Sequence, residues 1–280
     1  MIKDYYRLTK PGIIYGNSIA LIGGFLLGVQ HHFPVLIFLA SLVGMALVIG
    51  CGCVLNNYID RDIDQLMSRT RNRVSVRGVI SLKQAMVFAV VLGILGLAIL
   101  ALAVNLLTMF VALFGLFVYV VLYSLWFKRS SGLGTWVGAI SGAMPPVVGY
   151  CAVTGRLDLG AILVFLILYF WQLPHFFAIT IFRTNDYKTA GIPVLSVTQG
   201  VQSTKYWTLF FLFIFLFVSV LPFYFGYVGI YYLLAALMLS VLWLLSAIKG
   251  FKKDEDAVWA KRVFMVSIIV ISLLCLAMGL

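Results

Sequence analysis

Charge is what this sequence is short of. Only 10% of its 280 residues are Asp, Glu, Lys or Arg, while 63% are hydrophobic. Soluble domains carry about 25% charged residues, so a soluble protein is excluded. Cysteine is scarce as well: Cys51, Cys53, Cys151 and Cys275 all fall in apolar stretches, with no C-x-x-C pair. That excludes a disulfide framework and a thiolate metal site, and the four read as buried thiols. There is no repeat at a fixed period and no low-complexity tract, so the chain reads as one domain over residues 1–280.

What is abundant is long apolar runs. A membrane span needs roughly 20 such residues, and nine candidates are present, at approximately 12–29, 34–55, 85–104, 106–127, 133–153, 159–182, 206–226, 228–248 and 263–279. Backbone polar groups in lipid must be satisfied internally, so the predicted fold is an all-α bundle of nine transmembrane helices. The net charge of +11 is a topology signal more than a sign of a nucleic-acid partner. With the N-terminus inside, nineteen of the twenty Lys and Arg residues fall in cytoplasmic segments, and Arg156 alone lies outside. The positive-inside rule then puts the N-terminus in the cytoplasm and the C-terminus outside it. The tail before span one, with Asp4 in it, is too short and too acidic for a transit peptide, and a bacterial plasma membrane fits best.

The charge that does occur is concentrated. "NNYIDRDIDQLMSRTRNR" from Asn56 to Arg73 follows more than twenty almost wholly apolar residues. At about 100° per residue, a helix running past the end of span two puts Asn56, Asp60 and Asp64 on one stripe and turns Asp62 away. Stacked carboxylates repel unless a cation lies between them. A hard divalent ion suits them, and magnesium takes one or two carboxylates and completes its shell with water and phosphate oxygens. Arg69, Arg71 and Arg73 follow at once. Carboxylates that hold a metal beside guanidiniums that clamp free oxygens are the requirements of a diphosphate. A solvated loop accounts for the arginines, but not for three of the nine acidic residues falling within five positions.

Asn56-x-x-x-Asp60-x-x-x-Asp64 at the cytoplasmic end of span two resembles the UbiA-type intramembrane prenyltransferases. The likeness is greatest to their haem-farnesylating branch, the protohaem IX farnesyltransferases. Four blocks carry it: "LTKPGI" at Leu8–Ile13, "NNYIDRDID" at Asn56–Asp64, "RTRNR" at Arg69–Arg73, and "WQLPHFFAITIFRTNDYKTAGIPVL" at Trp171–Leu195. The resemblance implies transfer of a farnesyl group from farnesyl diphosphate to a vinyl group of haem B. Asn56, Asp60 and Asp64 would be catalytic, holding Mg2+ with help from Asp186. Arg69, Arg73, Lys128, Arg183 and Lys188 would bind the diphosphate. It also implies membrane lipid as surroundings, and haem A synthase or haem-copper oxidase assembly as downstream partners. The family's second acidic motif falls on Asp186 and Ala190, so one of its carboxylates is missing.

His175 is the deepest ionisable residue, about 10 Å below the surface at 1.5 Å per residue. Intramembrane ionisable groups usually face a bundle interior or a cavity. The family resemblance implies that His175, with Trp171 and Gln172, binds the acceptor, as a haem axial ligand or as a polar wall of its pocket, and a plain helix-to-helix hydrogen bond is the competing reading. Pro174 should kink the helix here, and "MPPVVGY" at Met144–Tyr150 should bend span five. His31 and His32 read as solvated on the other face, which leaves no second intramembrane histidine for a bis-histidine haem protein. Gly134, Gly138 and Gly142 on span five, and Gly12/Gly16 and Gly24/Gly28 on span one, read as close-packing stripes. Tyr5, Tyr6, Trp126, Trp207 and Trp259 are expected in interfacial belts. Two rivals stand beside the haem reading. One is the same fold acting on a quinone-precursor aromatic acid or chlorophyllide. The other is a transporter, which calls for ionisable groups at the bilayer midplane; no acidic residue falls there.

Overall fold

The computed structural model describes residues 1–29, 32–252 and 255–280. His31 lies outside the described residues, and His32 is exposed. Among the described residues the protein has nine helices long and apolar enough to cross a membrane: Pro11–Gly28, Val35–Ile59, Leu82–Val104, Leu106–Ser130, Gly134–Thr154, Leu159–Phe182, Gly200–Tyr224, Ile230–Ile248 and Asp256–Ala277. They are numbered here as spans one to nine.

Several helices start earlier or end later than the apolar runs, because local polar chemistry extends them beyond the hydrocarbon. Ser81 caps span three through a reciprocal capping box with Gln84. The early starts of spans seven and nine bring Lys205 and Asp256 together, where the ammonium meets Asp256 Oδ1 at 3.0 Å and the Phe251 carbonyl at 2.5 Å. Trp259 packs there at 0% exposure and donates its indole to the Ala247 carbonyl. It is therefore a core residue and not part of an interfacial belt, because its N–H finds a partner inside the bundle. Trp126, Tyr6 and Trp207 remain exposed.

Span five is the pivot of the bundle. It breaks at Ala143 into Gly134–Gly142 and Met144–Thr154, with proline in the first turn of the second piece. Every residue from Met144 to Ala152 is buried. This piece packs against spans one, two, four and six, and span nine returns to close on span one. The approach to span one is tight. A Cβ on Gly24 would sit 1.8 Å from the Pro146 carbonyl oxygen, and one on Gly149 would sit 2.1 Å from that of Leu21. Gly12 and Gly16, by contrast, meet nothing within 4 Å; they border a cavity and pack no helix. We expect Gly24→Ala or Gly149→Ala to destabilise the protein by about 1–3 kcal/mol or more, since backbone must shift to admit the methyl. Gly12→Ala should be close to neutral. Thermal unfolding in detergent tests the contrast.

Spans three and four contain π-helical turns, at Leu100–Val104 and Val118–Phe127. Single π-turns commonly mark functional sites. The second one shapes the cavity described next.

Candidate active site

Span two ends at Ile59, Asp60 forms the hinge, and Arg61–Asp64 adds one more turn. Helical register persists across the hinge, because the Asp60 N–H donates to Asn56 O at 2.9 Å and the Asp64 N–H to Asp60 O at 2.8 Å. Asn56, Asp60 and Asp64 therefore share one face and are 3%, 0% and 1% exposed. The Asp62 side chain is 62% exposed. The helical stripe drawn from the sequence is present.

Around it lies a connected polar network. Lys10 Nζ donates to Asn56 Oδ1 at 2.5 Å, and Asn56 Nδ2 donates to Asp60 Oδ2 at 2.7 Å and to Ser124 Oγ at 2.9 Å. Lys128 Nζ donates to Asp60 Oδ2, and Arg73 Nη1 donates to Asp64 Oδ2 at 2.5 Å. Thr70 Oγ1 bonds the Asp64 carbonyl at 2.7 Å, tying down the loop that carries Arg73. Arg129, on the exposed side, pairs with both oxygens of Asp62 at 2.7 Å and lies 3.7 Å from Asp60 Oδ1. Its bonds to Asp62 hold that carboxyl down at about 2. Asp62 is thus committed to anchoring the end of span four.

Two members of the network have no clear signature in the sequence. Ser124 reaches Asn56 because span four is π-helical at that level, with its hydroxyl on the Tyr119 carbonyl five residues back. The wider turn also brings Tyr119 and Tyr123 onto the cavity wall, stacked with centroids 5.9 Å apart. In the sequence Lys10 stands out only within the block Leu8–Ile13 and as one of the cytoplasmic basic residues. Among the described residues it is the one non-glycine with positive φ, at 51°. Left-handed backbone costs a side-chain-bearing residue roughly 1–2 kcal/mol. Here it directs the ammonium onto Asn56. Burial pulls its pKa down to about 8, with Arg73 and Lys128 pushing the same way and Cys53 and Asp60 opposing.

This network forms the charged end of a cavity of about 670 Å³. Lys10, Asn56, Asp64, Arg69, Arg73 and Lys128 line that end, and Met45, Val48, Ile49, Leu168 and Ile271 line the body. Trp171, Gln172 and His175 form part of the same wall. Among the described residues, spans one, two, four, five, six and nine supply the walls, and spans three, seven and eight supply none.

Trp171 and His175 stack with ring centroids 4.7 Å apart, and His175 Nδ1 lies 2.7 Å from Ser267 Oγ on span nine. His175 therefore bridges helices and faces the cavity at once. Gln172 donates to the Ala139 and Leu168 carbonyls at 3.2 and 3.0 Å, in space that Gly142 leaves open. Span six runs helically through Pro174, which offers no N–H to the Phe170 carbonyl.

Four expected site residues do not line the cavity: Asp60 is 0% exposed and is bonded to Asn56 and Lys128, which do line it, and three others are elsewhere. Asp186, expected at the metal, accepts from Ser68 N at 3.1 Å and Ser68 Oγ at 2.8 Å and does not line the cavity. Arg183 and Lys188, expected at the diphosphate, do not line it either. The cause is the turn after span six. Its short helix Thr184–Thr189 points Tyr187 inward, while Ala190 and Ile192 pack onto Ile63 and Met67 of the preceding loop. Ala190, where the family's second carboxylate would stand, is buried in that apolar clamp.

The family model for the UbiA prenyltransferase family matches residues 17–269. The chain is 48% identical over 279 residues to a protoheme IX farnesyltransferase of Yersinia pseudotuberculosis serotype O:1b (strain IP 31758), covering 100% of this chain and 95% of that one. It is 49% identical over 280 residues to a protoheme IX farnesyltransferase of Sodalis glossinidius (strain morsitans), covering 100% and 94%. Among solved structures, a digeranylgeranylglyceryl phosphate synthase superposes with a TM-score of 0.80 at 22% identity over 99% of this chain and 97% of that one. A UbiA homologue from Archaeoglobus fulgidus bound to GPP and Mg2+ gives 0.73 at 16% identity over 99% of each. By sequence along its whole length and by fold, the chain belongs to the UbiA prenyltransferase family.

Proposed function

We propose that this protein transfers the farnesyl group of farnesyl diphosphate to a vinyl group of haem B, with addition of water, giving haem O and diphosphate. The carrying observation is a single cavity with a cationic, carboxylate-bearing end, an apolar body and a histidine on its wall. The name borne by its full-length relatives supports haem as the acceptor.

A vinyl group is a weak nucleophile, so the donor must ionise readily. Arg69, Arg73, Lys128 and Lys10 bind the diphosphate and stabilise charge as it gathers on the leaving oxygens. The allylic C–O bond breaks, and the terminal vinyl carbon bonds to the farnesyl C1. Water adds to the cation left beside the porphyrin and loses a proton. The apolar body holds the isoprenoid and keeps bulk water from the cation before it is captured.

The residues present fit magnesium. Asp60 Oδ1 is fully buried and carries no hydrogen bond, with Arg129 no nearer than 3.7 Å. Asn56, Asp60 and Asp64 would hold the ion. Among the described residues no three His, Cys, Asp or Glu side chains gather, and water and diphosphate oxygens would complete the shell. Bound magnesium supplies neutralisation of the leaving diphosphate. The basic residues clustered at this end support a site facing the cytoplasm of a bacterial plasma membrane, in one membrane domain.

Purified protein incubated with haem B, farnesyl diphosphate and magnesium should yield a porphyrin heavier than haem B by one farnesol unit. Inert haem B together with prenylation of an aromatic acid or chlorophyllide would overturn the choice of acceptor.

A further inference from the structure

The hydrogen bonds around Ser267 decide which nitrogen of His175 carries the proton. A serine hydroxyl has one hydrogen to give. Ser267 Oγ is 2.6 Å from the Phe264 carbonyl oxygen, and a carbonyl can only accept. The Ser267 proton is therefore spent within its own helix. At 2.7 Å from the same oxygen, His175 Nδ1 must be the donor. Neutral imidazole has a single N–H, so Nε2 is left with a bare lone pair.

The surroundings hold the ring in that pose. Trp171 stacks on one side, tilted 28°, and Phe264 lies 4.8 Å away, centroid to centroid. Trp171 Nε1 donates to the Ser267 carbonyl at 2.9 Å, fixing span six against span nine at the same level. Among the described residues Nε2 has no hydrogen-bond partner, and the ring lines the cavity.

We propose that Ser267 is a positioning residue: it locks His175 in the Nδ1–H tautomer, so that Nε2 is presented to the cavity as the ligand for the iron of the haem acceptor. This rests on the haem reading above and adds the group that orients the acceptor. Histidines that bind metals characteristically donate their other N–H to a fixed acceptor, which sets the tautomer and strengthens the ligand. In this site that acceptor is a serine oxygen on the neighbouring helix.

Two measurements test the proposal without turnover. In ligand-free protein labelled with 15N-histidine, the His175 signals are assigned by their absence from His175→Ala. At a pH where the ring is neutral they should show Nδ1 protonated and Nε2 bare. Ser267→Ala should lose that single tautomer, and Ser267→Thr should keep it. In haem-loaded protein, His175→Ala should abolish the iron–imidazole stretch in the ferrous resonance Raman spectrum. Ser267→Ala should shift that stretch to lower frequency and weaken haem binding about tenfold or more, since loss of such an outer partner typically costs 10–100-fold. Binding of farnesyl diphosphate should stay within about twofold of the unmodified protein in each variant. Ser267→Thr should retain both haem signatures.

A protonated Nε2 in the unmodified protein overturns the lock, as does an unchanged tautomer in Ser267→Ala. An unchanged stretch in His175→Ala overturns iron ligation. Failure of the haem reading shows separately, as inert haem B in the product assay.

Discussion

Asp60→Asn and Asp64→Asn should each lower turnover by at least about a hundredfold, the scale on which removing one preorganised electrostatic partner acts. Asp62→Asn should stay within about threefold. All three are aspartates within five positions, so composition does not distinguish them. Geometry does. Asp60 and Asp64 are buried on the Asn56 face, one under Lys128 and the other under Arg73. Asp62 faces outward and pairs with Arg129. Its loss removes a surface anchor, and such pairs are worth little. Stability must be followed in parallel, because truncating one member of a buried pair leaves the other charge uncompensated. Steady-state rates with melting temperatures on the three variants provide the comparison. Equal loss at Asp62 in a well-folded protein would sink the one-face arrangement.

The second large effect concerns the cationic clamp. Arg73→Ala should weaken farnesyl diphosphate binding by about tenfold or more while leaving haem binding nearly unchanged, the loss expected when a charge-assisted phosphate contact is removed. The direction follows from placement, since Arg73 lines the charged end of the cavity. Arg183, an equally basic residue in a family block, lies off the cavity and within 3.8 Å of Asp186. Arg183→Ala should therefore leave donor affinity within about threefold. The sequence could not separate these two arginines. Direct titration of both variants with donor and with haem does; equal donor loss in both would place the diphosphate nearer the turn after span six.

Apolar length alone specified nine spans, because twenty residues without charge have few other solutions in lipid. Helical angle alone put Asn56, Asp60 and Asp64 together, since the three lie within about two turns of one helix and depend on no distant contact. Residues recruited from other helices were harder to read. Ser124 sits 68 positions from Asn56 and arrives through a π-turn that no residue type announces. Lys10 arrives 46 positions away from a strained left-handed backbone.

Asp186 shows the converse. Its motif position pointed to metal, yet the fold packs Ala190 and Ile192 onto Ile63 and Met67 and turns the carboxylate to Ser68. Sequence by itself thus determined the membrane architecture, the face carrying the acidic stripe and the family blocks, because each depends on hydrophobic length or on spacing along one segment. Tertiary structure alone decided which cations meet the carboxylates, which motif residues stand outside the cavity and which nitrogen of His175 is free. Those outcomes depend on the packing of different spans, where a half-turn of one helix exchanges the residue that faces the site for one that faces away.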